Sequence, residues 1–263
     1  MTAKPLLTLV KIGGNILNNE AATREVLDEF TRIPETKVLV HGGGRAATEI
    51  AARLDVPQTM IDGRRVTDAE TLKIAVMVYG GLINKSIVSG LQSRGVPAIG
   101  IMGADLGLIR ARKRPANPVD YGFVGDIEAV SLEKLLPLLP AGVTPVVAPL
   151  THDGAGTILN TNADSIANAL AAALSQHYEV RLVYSFERNG VESGTSGEVI
   201  PEITRSAFSR LKESGAVSGG MIPKLENAFA ALDSGVSEVV IGNARLLPAL
   251  LAGSAGTRIC HER

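Results

Sequence analysis

Two lysines stand beside glycines in settings that ask for an anionic partner. Lys11 closes the apolar run Leu6 to Ile12 and is followed by Ile12-Gly13-Gly14. An ammonium at the end of a buried strand is costly unless an anion lies close. Two glycines let backbone N–H groups approach a phosphate with no Cβ in the way. The lysine precedes its glycines, so this is not the GxxxxGKS/T phosphate loop. Lys224 follows Ser218-Gly219-Gly220-Met221-Ile222-Pro223. Proline suits the first turn of a helix. That puts Lys224 near a positive helix end, where a cation is unfavourable unless an anion binds nearby. Taken singly, each lysine is equally well a solvated surface charge.

Three further segments carry polar chemistry. His41-Gly42-Gly43-Gly44 closes a second strand and opens a helix. Helix N-termini attract anions, and three glycines expose consecutive donors where a tight turn needs fewer. The GxGxxG dinucleotide fingerprint is absent, which disfavours a dehydrogenase. His41 receives no catalytic role. Arg65, in Arg64-Arg65-Val66-Thr67-Asp68, has the fork geometry to hold a carboxylate, and Asp68 is placed to cap the following helix. In Asn160-Thr161-Asn162-Ala163-Asp164, Asn162 serves as an N-cap and Asp164 as a first-turn acid. Asn160 is not explained by either device.

The elements that must position these groups alternate between short apolar runs and segments of helical period, the pattern of a mostly parallel sheet covered by helices. Strands are expected at Leu6 to Ile12, Lys37 to His41, Val96 to Met102, Thr144 to Pro149, Val180 to Ser185, Glu238 to Ile241 and Thr257 to Cys260. Helices are expected at Glu20 to Ile33, Ala46 to Leu54, Ala69 to Arg94, Ser131 to Leu138, Asn162 to Leu174 and about 204–213 and 224–234. Glycine, proline and basic residues between Gly103 and Asp126 suggest hairpins and a mobile flap. Glu187 to Gly197 reads as a loop. No segment is expected to reach membrane-spanning length without interruption.

Composition narrows the function classes. The chain has 263 residues, enough to bury a sizeable core, with 45% hydrophobic and 20% charged residues. A net charge of −1 argues against a nucleic-acid footprint or a polybasic membrane surface. Aromatic content of 3% weakens any reading built on base stacking. The lone Cys260 excludes an internal disulfide framework and a cysteine-rich metal site, and reads as a bystander. The expected location is the cytoplasm.

Read together and in order, VKIGGN (10–15), VHGGG (40–44), GRRVT (63–67), VDYGFVGD (119–126), LNTNAD (159–164), SGGMIPKL (218–225) and GTRI (256–259) resemble the N-acetylglutamate kinase family of the amino acid kinase superfamily. The resemblance covers nearly the whole chain. It implies an α/β fold, a three-layer αβα sandwich around a mainly parallel sheet of about eight strands. It implies one domain over 1–263, with residues 1–142 binding the acyl amino acid and dimerising and residues 143–263 binding nucleotide. The implied activity is transfer from ATP, with Mg²⁺ bridging the nucleotide phosphates, to the γ-carboxylate of an N-acyl-L-glutamate in arginine biosynthesis. Carried over by position, Lys11 and Lys224 stabilise the transferring phosphoryl group and Asp164 orients both. Gly43, Gly44, Arg65 and Asn160 match the acyl-glutamate site. Gly13, Gly14, Glu187, Gly190, Gly219, Gly220 and Met221 fall where the family meets the nucleotide. No residue is assigned to a metal.

Two departures qualify the resemblance. After the strand at 180–184 the chain reads SFERNGV where many members carry a Ser-Asp pair, leaving Glu187 to replace that acid. The flap carries Arg110, Arg112, Lys113 and Arg114, which read first as a solvated basic loop and alternatively as a site for an acyl group with its own carboxylate, as in N-succinyl-L-glutamate. The sequence is also compatible with a superfamily kinase acting on aspartate, glutamate, carbamate or UMP, and with a non-catalytic sensor of the same fold. Arginine-inhibited hexameric relatives carry an added N-terminal helix. The few residues before the first strand therefore suggest a homodimer insensitive to arginine.

Overall fold

Strand β1 (Leu6–Ile12) is apolar on both faces and both are covered, as a central parallel strand requires. The computed structural model describes residues 3–61, 63–194 and 197–262. After β1 come α1 (Gly14–Leu17), α2 (Glu20–Thr31), β2 (Thr36–His41) and α3 (Gly44–Arg53). A small hairpin of β3 (Met60–Ile61) and β4 (Arg64–Arg65) leads into one long helical run. That run comprises α4 (Ala69–Ala75), a π-helical segment (Val76–Ile83) and α5 (Asn84–Gln92). Then follow β5 (Ala98–Ile101), β6 (Ile109–Lys113), β7 (Gly125–Val130), β8 (Thr144–Val147), β9 (Leu150–His152) and β10 (Ile158–Asn160). The rest comprises α6 (Ala163–Leu174), β11 (Glu179–Phe186), β12 (Glu202–Thr204), α7 (Arg205–Glu213), α8 (Met221–Asp233), β13 (Glu238–Asn243), α9 (Leu247–Leu251) and β14 (Thr257–Cys260).

Eight strands form the central sheet in the order β12-β14-β13-β11-β1-β2-β8-β5, parallel throughout except between β13 and β14. Period-two alternation sorts the β1 side chains between two cores. Leu7 and Leu9 pack with Ile166 and Leu170 of α6 and Leu225 and Phe229 of α8. Val10 and Ile12 pack with Leu27 and Phe30 of α2 and with Val78 and Ile87 of the long helix. The result is the expected αβα sandwich. β8, the first strand after residue 143, lies between β2 and β5, so the sheet joins both halves of the chain.

Asp68 caps the long helix by accepting from the Thr71 N–H at 2.8 Å, as expected. Contrary to expectation, this run of 24 residues, Ala69–Gln92, is long and apolar enough to cross a membrane. It packs Ile74, Val78, Tyr79, Ile83, Ile87 and Leu91 against the rest of the fold. Ser131 to Leu138 is also not a regular helix. It is a set of turns ending in a single 3₁₀ turn, Leu136–Leu138.

A second sheet, β10-β9-β6-β7, holds the Gly103 to Asp126 region as a hairpin. Its outer loop is laced to two distant segments by backbone bonds. Thr67 N–H donates to Tyr121 at 2.9 Å, Phe123 N–H to Thr67 at 2.7 Å, and Asn160 N–H to Phe123 at 2.8 Å. This lacing brings Arg65 and Asn160, distant in sequence, to one side of the sheet.

Candidate functional site at the carboxyl ends of β1, β2 and β11

Alternation that sends Leu7 and Leu9 toward α6 sends Lys11 the same way. Lys11 sits in register between Val40 of β2 and Tyr184 of β11. Its Nζ lies 2.6 Å from Oδ1 of Asp164, with the two side chains only 9% and 15% exposed. Asp164 is held there because Asn162 caps α6, accepting from the Asp164 and Ser165 N–H groups at 2.8 and 3.1 Å. Burial opposes ionisation of Asp164. The ammonium groups of Lys11 and Lys224 outweigh it and hold the carboxyl below its ordinary range. The Tyr184 hydroxyl is pushed upward by burial and then by the Asp164 charge, so it stays protonated.

Lys224 reaches the same place from the first turns of α8. Its Nζ stands 5.2 Å from the centroid of the Phe186 ring. Burial lowers its pKa; the Asp164 charge raises it and the Lys11 charge lowers it again, with a net downward shift. Two ammoniums therefore share the field of one carboxylate. The imbalance favours an anion.

The glycines have unequal reasons for being glycine. A Cβ on Gly14 would lie 3.0 Å from the Gly43 nitrogen, and one on Gly42 would lie 3.1 Å from the Gly14 nitrogen. A Cβ on Gly43 would stand 2.5 Å from Ile83 Cδ1 of the π-helical segment. These positions need glycine for packing, whatever they bind. Gly44 opens α3 with clear space around it, the nearest atom being Arg65 Nη2 at 3.9 Å. His41 donates no charge here. Burial brings its pKa down to about 4, with Nδ1 2.9 Å from the Gly42 oxygen and Nε2 3.2 Å from Asn84 Nδ2.

Lys11, Gly13, Gly14, Gly43, Gly44, Glu187 and Lys224 line one cavity of about 370 Å³. A second cavity of about 670 Å³ is lined by Gly220, Met221, Val217 and Glu192, and shares Phe186 and Lys224 with the first. Glu187 faces the smaller one, where its Oε2 accepts from Asn15 Nδ2 at 3.4 Å.

The amino acid kinase family pattern matches residues 7–243. The chain belongs to that family. It is 54% identical over 255 residues to a Bacteroides thetaiotaomicron protein named acetylglutamate kinase, covering 96% of this chain and 98% of that one. Among solved structures, the smu.665 protein of Streptococcus mutans superposes with a TM-score of 0.80 at 27% identity, covering 96% and 98% of the two chains. An N-acetylglutamate synthase from Neisseria gonorrhoeae superposes with a TM-score of 0.84 at 22% identity, over 99% of this chain and 60% of that one, a likeness of fold.

Not every expected site residue of this amino acid kinase lines the two cavities. Arg65 lies behind Gly44, donating to its carbonyl at 2.7 Å, to Thr48 Oγ1 at 2.8 Å and to Gln58. Asn160 donates to Thr67 Oγ1 at 3.0 Å. Gly190 is a packing glycine, since a Cβ there would lie 2.5 Å from Val199 Cγ1. Gly219 turns the chain into α8 with φ +56°. Phe186, Tyr184 and Asn15 went unassigned in the sequence. Their signal was register: Tyr184 is opposite Lys11, and Phe186 is two residues further along the same face. No cluster of three or more metal-ligating side chains occurs among the described residues.

Proposed function

We propose that this amino acid kinase transfers the γ-phosphoryl group of ATP to the γ-carboxylate of N-acetyl-L-glutamate, forming N-acetyl-γ-glutamyl phosphate in arginine biosynthesis. The observation that carries the phosphoryl-transfer part is the excess positive charge of Lys11 and Lys224 over Asp164 at the junction of two cavities. The acceptor follows from the relatives named acetylglutamate kinase.

The acceptor carboxylate, with an ordinary pKa of about 4.3, is already ionised at neutral pH, so no general base is required. One of its oxygens bonds to the γ-phosphorus while the bond to the β,γ-bridging oxygen breaks, and ADP leaves with that electron pair. Catalysis then amounts to in-line positioning and neutralisation of charge on the equatorial oxygens. Lys11 and Lys224 supply the neutralisation and Asp164 orients them. Amides of Gly14 and Gly44 face the phosphates, while Gly13, whose N–H donates to the Ser185 carbonyl at 3.0 Å, shapes the cavity wall beside them. Arg65 and Asn160, with Gly43 and Gly44, fix the acyl amino acid on the side of residues 1–142. Residues 143–263 contribute Gly219, Gly220 and Met221 to the nucleotide, with Gly190 shaping that region and Glu187 at its phosphate end. Mg²⁺ would be carried on the nucleotide phosphates, where it would add to the charge neutralisation that Lys11 and Lys224 supply.

Met77 and Leu82 of the long helix and Ile99 of edge strand β5 are exposed apolar side chains. Their exposure supports pairing of two copies as a homodimer; the cytoplasmic location belongs to the same proposal and rests on the biosynthetic reading alone. Light scattering tests it; a monomer or a hexamer speaks against it.

The acceptor is tested by trapping acyl phosphate with hydroxylamine across N-acetyl-L-glutamate, N-succinyl-L-glutamate, L-glutamate and UMP. Hydroxamate with N-acetyl-L-glutamate supports the reading. A preference for the acetyl over the succinyl compound of about 100-fold in kcat/KM rules out the dicarboxylic acyl group.

A further inference from the structure

The charge imbalance falls unevenly on the two lysines. Lys11 is tied directly to Asp164. Lys224 makes no ion pair or hydrogen bond among the described residues, and stands instead over the face of Phe186 at 5.2 Å. The two kinds of partner differ in what they take from an ammonium. A carboxylate accepts its N–H groups in short, charge-assisted bonds that must break before another anion can use them. An aromatic face attracts the charge through its quadrupole and leaves the three donors available.

Phe186 is also well placed for this. It is the last residue of β11, on the same face as Tyr184, and it shares with Lys224 the wall common to both cavities. We propose that Phe186 is a positioning residue that holds the Lys224 ammonium at the junction of the two cavities with its donors free, ready to meet a phosphoryl group without first breaking an ion pair. The inference rests on the kinase reading of that site and assigns a role to a residue in the segment where the chain departs from the family pattern.

The charged groups facing Lys224 are Asp164 on α6 and Lys11 on β1, with Glu187, Arg188 and Glu192 after β11 and Arg45 on α3 along the cavity walls. Burial lowers the Lys224 pKa and the Asp164 charge raises it; the negative face of a ring 5.2 Å away acts in the same sense as the carboxylate. Removing the ring's negative face should therefore lower that pKa further.

The test replaces the Phe186 ring with its pentafluorinated analogue in the full-length protein, which keeps the shape and inverts the quadrupole, alongside Phe186→Leu and Phe186→Tyr. Expected for the fluorinated protein is a kcat about 3- to 10-fold lower, with the alkaline limb of the pH profile moved down by roughly half a unit to one unit. Nucleotide KM should change little, and Phe186→Tyr should retain both properties. In parallel, ¹³C NMR of the reductively methylated protein follows the Lys224 resonance, identified by its loss in Lys224→Arg. That resonance should titrate at lower pH in the fluorinated protein. This titration needs no turnover, so it still tests the Phe186 contact if the wild type proves inactive and the kinase reading fails. An unmoved Lys224 titration in the fluorinated protein overturns the proposal, as does a Phe186→Tyr enzyme as impaired as the fluorinated one.

Discussion

The molecule has two basic regions, and they are built on opposite terms. On the β6–β7 hairpin four basic side chains crowd together, yet the hairpin supplies partners for three of them. Arg114 bonds Asp126 through Nε at 3.0 Å and Nη2 at 2.5 Å, Arg110 lies 3.7 Å from Glu128, and Lys113 lies 5.1 Å from the Phe123 ring centroid. At the carboxyl ends of β1 and β11 only two lysines meet, but Lys11 is buried, Lys224 is half-buried, and both act on one carboxylate between them. The number of basic residues is therefore a poor guide to an anion site. Excess charge held out of water is the better one, because solvent screening leaves exposed pairs worth only about 0–1 kcal/mol.

The contrast breaks if these two lysines prove dispensable. Lys224→Ala should lower kcat by about 1000-fold or more in steady-state assay while the melting temperature stays within a few degrees. Asp164→Asn should cost about 100-fold in kcat and about 3 kcal/mol in urea unfolding, because it leaves the Lys11 ammonium buried without its partner. Millimolar phosphate should restore part of that stability, since an anion can take the carboxylate's place.

His41 sharpens the point that burial without a counter-charge removes charge. Its pKa is held at about 4 against an ordinary 6.5, so the unfolded chain binds the proton first. Stability is then full above the ordinary value and declines as pH falls from 6.5 toward 4. The expected loss by pH 5 is roughly 2 kcal/mol, read from urea midpoints, and a His41→Asn protein should show a flatter profile. The smallest effects belong to the hairpin. Arg112→Ala and Arg114→Ala should change kcat/KM for N-acetyl-L-glutamate by less than about 3-fold and stability by no more than about 1 kcal/mol. A 100-fold loss there would place the hairpin's charges in the site.

Much of the fold was legible because the long strands are apolar on both faces and the helices carry clear periods. Leu6 to Ile12 and Asn162 to Leu174 emerged with their expected roles, Asn162 as the cap. The strands Leu150–His152, Ile158–Asn160 and Glu202–Thr204 were missed because three residues carry no period, and pairing alone makes them strands. The expected helix after Ser131 lacked the hydrogen bonds to become one. At the site, the lysines and glycines announced themselves by being awkward. Which glycines serve packing was hidden, because Gly43 owes its identity to Ile83 on a different element. Phe186 was hidden for a similar reason: its meaning depends on Lys224, 38 positions away on α8.

The most direct test of the central claim is a single-turnover hydroxylamine trap run on the wild type and on Lys224→Ala side by side. The account predicts rapid hydroxamate formation by the wild type, dependent on both ATP and N-acetyl-L-glutamate, and a rate lower by about 1000-fold in the variant. Comparable rates in the two proteins, with both folded, would contradict it.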